Sequence, residues 1–98
     1  MFASVRRYEG IDPGSVDEVM QLVHEGFSNI ISQAPGFIAY YALDAGDGVI
    51  ASISVFEDQA GADESNRMAA DWVAENLAAY IQTPPLTTAG DVVVFRGA

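Results

Sequence analysis

Cysteine and lysine are both absent from this chain, and histidine occurs once. Without cysteine there are no disulfides and no thiolate chemistry, and the composition suits a reducing compartment, so a cytoplasmic location is expected. A single histidine with no cysteine offers no zinc or iron ligand spacing, and no metal is expected. The same histidine, His24, is the only base for a Ser-His-Asp arrangement, and no nucleophile-elbow sequence accompanies it. His24 is therefore read as a helix-surface residue. Four arginines face 14 acidic residues, a formal charge of −10. That balance repels phosphate backbones and anionic headgroups, which argues against nucleic acid and membrane surfaces as partners. No apolar run approaches membrane-spanning length, the N-terminal segment MFASVRRYEG predicts no secretory signal, and no glycine pattern cradles a phosphate.

What is present is apolar: half of the 98 residues. A chain of this length builds one core, so residues 1–98 are read as a single domain. Phe2 to Glu9 alternates as a strand. Ser15 with Glu18 three residues later reads as a capping box for a first helix, whose apolar stripe runs Val16, Val19, Met20, Val23, Phe27, Ile30, Ile31 and Ala34. Pro35-Gly36 ends that helix. FIAYYALD and VIASISVF follow as two strands around the turn at Asp44–Gly48. Asp58 caps a second helix from Gln59 to about Tyr80, with Ala62, Asn66, Ala69, Val73, Leu77 and Tyr80 inward. On its outer face Asp63, Arg67 and Asp71 form an expected ion-pair ladder. After Pro84-Pro85 and Gly90, the run DVVVFR is read as the last strand. Strand, helix, strand, strand, helix, strand is the ferredoxin-like βαββαβ plan: an α+β fold with a four-stranded antiparallel sheet and two helices on one face. Its second sheet face is left bare.

The hairpin is apolar on both faces. With Asp44 opposite Val49, Tyr40 faces Ile53 and Tyr41 faces Ser52. This sorts Ile38, Tyr40, Ala42, Val49, Ala51, Ile53 and Val55 toward the helices. Phe37, Ala39, Tyr41, Leu43, Ile50, Ser52, Ser54 and Phe56 then occupy the open face, an aromatic and hydroxylic mixture of the kind that lines ligand pockets. The central first strand adds Ser4, Arg6 and Tyr8 to that open face. A covered guanidinium needs an acceptor, and an ion pair with Glu57 or Asp91 is the first expectation, with an acidic or phenolic ligand as the alternative. Asn66, inside an apolar stripe, either bonds to neighbouring backbone or points into a cavity. Trp72 is read as core or interface packing.

The order of elements, the Pro35-Gly36-Phe37 lead-in to the second strand and Val55-Phe56-Glu57-Asp58 before an alanine-rich helix resemble the antibiotic biosynthesis monooxygenase-like family. The stretch from Ala69-Ala70-Asp71-Trp72-Val73 to Glu75-Asn76-Leu77 resembles an uncharacterised branch of it. The resemblance implies a dimeric α+β barrel, a homodimer closed through the open sheet face around a pocket. It also implies oxygenation of a phenolic or polyketide-like small molecule without a cofactor. Phe56 stands where many members carry a tryptophan. Ser4, Ser65 and Asn66 occupy positions where haem-degrading members use a first-strand asparagine and a helix histidine, a departure from the haem pattern. On this reading Arg6 steadies an oxyanion, Tyr8 and Tyr41 bond or stack with the ligand, Ser52, Ser54 and Asn66 contribute polar groups, and Phe37 and Phe56 wall the site. The competing reading is a non-catalytic dimeric small-molecule-binding or interaction module.

Overall fold

A computed structural model describes all residues 1–98. Strand β1 (Phe2–Tyr8) is followed by a 3-10 turn and two helical segments, α1 (Val16–Glu25) and α2 (Phe27–Ile31). The hairpin β2 (Phe37–Gly46) and β3 (Val49–Phe56), the long helix α3 (Gln59–Asn76) and strand β4 (Leu86–Asp91) complete the chain. All pairings are antiparallel and the sheet order is β2-β3-β1-β4, with β1 and β3 central. The expected α+β plan of a four-stranded antiparallel sheet and two helices is what the chain adopts. No helix is long and apolar enough to cross a membrane.

Local chemistry explains most boundaries. Asp58 caps α3, its carboxylate accepting from the Gly61 amide at 3.0 Å. The expected Ser15 cap does not form; Asp12 caps the preceding 3-10 turn instead, accepting from the Gly14 amide at 3.1 Å. The first helix breaks at Gly26, where only a residue without a side chain fits beneath Trp72: a Cβ would lie 2.6 Å from Trp72 Cζ2. Helix α3 stops at Asn76 rather than Tyr80. Arg67 pairs with Glu64 rather than with Asp63 or Asp71, and the pair is exposed, so it contributes little.

The hairpin departs from the expected register by one residue, and the reason is local. The turn is the two-residue Asp47-Gly48, both at positive φ (55° and 77°), which suits the twist of paired strands. Strand β2 therefore runs on to Gly46, which pairs with Val49, and a bulge at Ala45 places Asp44 opposite Ile50. Tyr41 then pairs with Ile53, Ala42 with Ser52 and Tyr40 with Ser54. A second irregularity at Ile38 restores the expected Phe37–Phe56 pair.

One residue of slip exchanges the faces of β3 relative to β2. Tyr40 and Ala42 face the helices as expected, but so do Ile50, Ser52, Ser54 and Phe56, all buried. Through the β1–β3 register, Ser4, Arg6 and Tyr8 join them. Their expected place on the open face is thus overturned. The open face is instead mainly aliphatic, built from Val5, Ala51, Ile53, Val55 and Leu43 around Tyr41, which is 58% exposed, with Arg7 opposite Ala51 as its one charged strand residue.

The core lies between this mixed sheet face and the helices. Val16, Val19, Val23, Phe27 and Ile31 reach down from α1 and α2, and Ala62, Ala69 and Leu77 from α3 and its end. Ile30 of the expected stripe is exposed. The run after Asp91, expected as the last strand, is not one: β4 forms from Leu86 to Asp91, and Val92 makes one further bond to the Met1 carbonyl before the chain leaves the sheet. Thr87 opposite Arg6 and Ala89 opposite Ser4 fix that earlier register.

Candidate functional site

Arg6 is 1% exposed, beneath α3 at the centre of the sheet. Its guanidinium makes three side-chain hydrogen bonds: Nε to Ser52 Oγ at 3.0 Å, Nη2 to Ser54 Oγ at 2.5 Å and Nη1 to Asn66 Oδ1 at 2.8 Å. Ser4 Oγ donates to the same Asn66 oxygen at 2.6 Å. The expected ion pair with Glu57 or Asp91 is absent; the two ion pairs in the chain are Arg7–Glu9 and Arg67–Glu64. The reason is geometric, because Arg6 faces the helix side beside hydroxyl and amide oxygens. A full positive charge is thus buried with neutral acceptors only. Three of the five guanidinium N–H groups are used, which leaves two.

Two phenols complete the surroundings. No hydrogen bond of strict geometry joins Arg6 to Tyr8 or Tyr40, yet both lie within reach of its charge. Burial lowers the Arg6 pKa, and the two phenols oppose that shift. Burial pushes the Tyr8 phenol up, with Arg6 opposing. It pushes Tyr40 up as well, opposed first by the nearby Ser52 hydroxyl and then by the Arg6 charge. Both tyrosines are held neutral beside a cation, so their hydroxyls are donors.

Tyr8, Tyr40 and Ser52 also wall an apolar cavity of about 30 Å³ between the sheet and the helices, closed by Met20, Phe27, Trp72, Val73 and Leu77. Phe27 holds two walls together, its ring centroid 5.5 Å from Tyr40 and 5.8 Å from Trp72. Shallower grooves flank it, one past Tyr8 and Ile81 to Gln82–Pro85, the other past Met20 and Tyr40 to His24 and Asp44.

A comparison against curated proteins returned no match. The sequence profile of antibiotic biosynthesis monooxygenases matches residues 1–70, which span β1 through most of α3 and hence the whole Arg6 cluster. The chain belongs to the antibiotic biosynthesis monooxygenase family. Among solved structures, a Nitrosomonas europaea protein of unknown function superposes with a TM-score of 0.79 at 21% identity, over 99% of this chain and 93% of that one. A Streptomyces coelicolor monooxygenase in complex with the ligand nanaomycin D gives 0.70 at 19% identity, over 99% and 88%. A Mycobacterium tuberculosis protein gives 0.73 at 13% identity, over 98% of both chains. At these identities the likeness is one of fold.

Within this family member, the structure gathers Arg6, Ser52, Ser54 and Asn66 into one hydrogen-bonded cluster, with Tyr8 beside it. Phe37 and Phe56 pack edge to face at 5.8 Å at the other end of the sheet, away from the cavity wall. Tyr41 is separated from the cluster by the sheet itself. Asn66 takes neither of its two expected roles: its carboxamide oxygen accepts from the Ser4 and Arg6 side chains, not from a backbone group, and the residue does not line the cavity. Tyr40, Phe27 and Trp72 were not among the expected site residues. Phe27 lay in the helical stripe and Tyr40 on the helix-facing side, but only the slipped register brings Tyr40 beside Ser52 and Ser54.

Proposed function

We propose that this protein binds an aromatic or polyketide-like small molecule in its anionic form in the cavity under α3, and oxygenates it without a cofactor. The observation that supports this reading is the buried Arg6 charge with no carboxylate partner. An uncompensated cation in a low-dielectric interior favours a neighbouring phenolate or enolate. Tyr8, Tyr40 and Ser52 stand between that charge and the cavity, so their hydroxyls are the groups positioned to hold the ligand oxygen. An enolate or phenolate is also the electron-rich form that reacts with dioxygen. Family membership supports the same reaction class, as does the Streptomyces relative with its bound nanaomycin D. This reading puts the pocket on the helix side of the sheet, where Tyr8, Tyr40 and Ser52 line the cavity, and not on the open face. We propose the homodimer through the open face as well, because its aliphatic surface has no cover within one copy.

The cavity volume favours a second reading, a non-catalytic dimeric binding module. About 30 Å³ is room for roughly two waters, so an aromatic ligand must displace Trp72, Met20 or Phe27 toward the flanking grooves. Trp72 is the only tryptophan and reports directly on such entry. Titration with a hydroxynaphthoquinone or anthrone is expected to quench its fluorescence saturably, with oxygen uptake following. Arg6→Met is expected to remove both while the fold is retained. Saturable binding with no oxygen uptake selects the binding module, and no binding by any phenolic probe overturns the site.

A further inference from the structure

A multi-ring ligand exceeds the cavity of about 30 Å³, so most of it has to lie in a neighbouring space. Two grooves share walls with that cavity. One, of about 260 Å³, shares Tyr8, Val73 and Ile81 and runs to Pro84-Pro85. The other, of about 390 Å³, shares Met20, Val23, Tyr40 and Ala42 and runs to His24, Ser28 and Asp44.

The shared walls decide between them. The first passage is bounded by Val73 and Ile81, β-branched side chains with little rotamer freedom, and by Tyr8, which stands beside the Arg6 charge. The second has Val23 at its back, but its sides are Met20, unbranched and half-buried, and Ala42. Ala42 lies between Tyr40 and Asp44 on the helix-facing side of the edge strand β2, and it is exposed although its partner across the strands, Ser52, is buried. Ser52 Oγ accepts from Arg6 Nε at 3.0 Å, so one small residue separates the hydroxyl that carries the buried charge from the larger groove.

We propose that the ligand is an elongated, fused-ring phenol or enol that holds its anionic oxygen at Ser52 and Tyr40, passes between Ala42 and Met20, and rests its far end in the groove at His24 and Asp44. Ala42 and Met20 then set the length of ligand accepted. The groove's volume of about 390 Å³ falls within the ~300–1,000 Å³ of small-molecule sites, which the cavity alone does not reach. Polarity gives the ligand a direction. Its inner end meets a buried cation through a hydroxyl, whereas its outer end meets the Asp44 carboxylate, whose Oδ1 accepts from the Gly46 amide at 2.9 Å and whose Oδ2 is free. On a chain of net charge −10 a second anionic group at that end is disfavoured, and a hydroxyl or ammonium suits it. The inference rests on the phenolate site proposed above and holds whether or not oxygenation follows binding.

Trp72 quenching tests it with two probes that share an acidic phenolic head: one-ring nitrophenol and a linear three-ring hydroxyanthraquinone. Ala42→Leu is expected to raise the Kd of the three-ring probe at least about tenfold and to leave that of nitrophenol within about twofold. Ala74→Leu, at an exposed residue that lines the other groove and not this one, is expected to change neither. Equal effects of Ala42→Leu on both probes, or a loss with Ala74→Leu as large as with Ala42→Leu, overturn the passage. Asp44→Asn gives a readout independent of Ala42: it is expected to tighten a three-ring probe bearing a far-end carboxylate at least about threefold and to leave the uncharged-tail probe unchanged. Equal effects on the two tails place the far end elsewhere and overturn the assignment. Binding of neither nitrophenol nor the three-ring probe to the unaltered chain removes the phenolate site itself, and this inference with it.

Discussion

The Asn66 carboxamide oxygen accepts from Arg6 Nη1 at 2.8 Å, and this bond ties the helix α3 to the centre of β1 across sixty residues of sequence. Ser4 shares the same oxygen at 2.6 Å. Removing it strands two donors at once. Asn66→Ala is expected to destabilise the fold by about 1–3 kcal/mol, the penalty for leaving buried donors unsatisfied. Urea unfolding followed by Trp72 fluorescence measures it, and a loss below about 0.5 kcal/mol would show that water replaces the amide.

Asn66→Asp separates charge from packing. It keeps the shape and gives Arg6 the carboxylate it lacks, so stability is expected to hold or rise near neutral pH while affinity for an anionic phenol falls. Tight phenol binding by Asn66→Asp would show that the Arg6 charge is not what selects the ligand.

The pH dependence of stability follows from Tyr8 and Tyr40. Both phenols are raised by burial above their ordinary value of about 10, so the fold favours the neutral form. Their contribution is fully present below about pH 10 and is lost as pH rises through the higher folded values. Tyr80, raised by the neighbouring Glu18 carboxylate, acts in the same direction. Urea midpoints are expected to be flat from about pH 7 to 9 and to fall above 10. Tyr8→Phe and Tyr40→Phe are each expected to shallow that fall; an unchanged slope in both assigns the alkaline loss elsewhere.

Gly26→Ala sets two effects against each other. Alanine gains up to about 1 kcal/mol of helix propensity, but its Cβ would sit 2.6 Å from Trp72 Cζ2. Overpacking of about 1–3 kcal/mol wins, and a net loss with a shifted Trp72 emission is expected. A gain in stability would mean that the tryptophan moves aside freely.

Tyr41→Ser tests the faces of the sheet. Tyr41 lies on the open face, so the change is expected to weaken self-association while leaving phenol affinity per chain within about twofold. The same change at a residue lining the cavity would lower that affinity.

The order of elements was legible because it rests on short-range physics: the helical stripe from Val16 to Ile31, the Asp58 cap, Pro35-Gly36 and the alternation in β1 and β3. The chemical content of the site was legible too, since Arg6, Tyr8, Ser52, Ser54 and Asn66 each stand out as polar residues among apolar neighbours. Their placement was not. One extra residue at the Asp44–Gly46 bulge moves Ser52 from opposite Tyr41 to opposite Ala42, and with period-two side chains that step carries the polar set from one face to the other. The same limit applies at the far edge, where VVVF has stronger strand propensity than LTTAG, yet the latter pairs with β1. Composition and local pattern determined which elements form and which side chains carry charge and hydroxyls. Only the tertiary structure decided that Arg6 is buried under α3 without a carboxylate, because strand register and the choice of β4 are settled by pairing between segments distant in sequence.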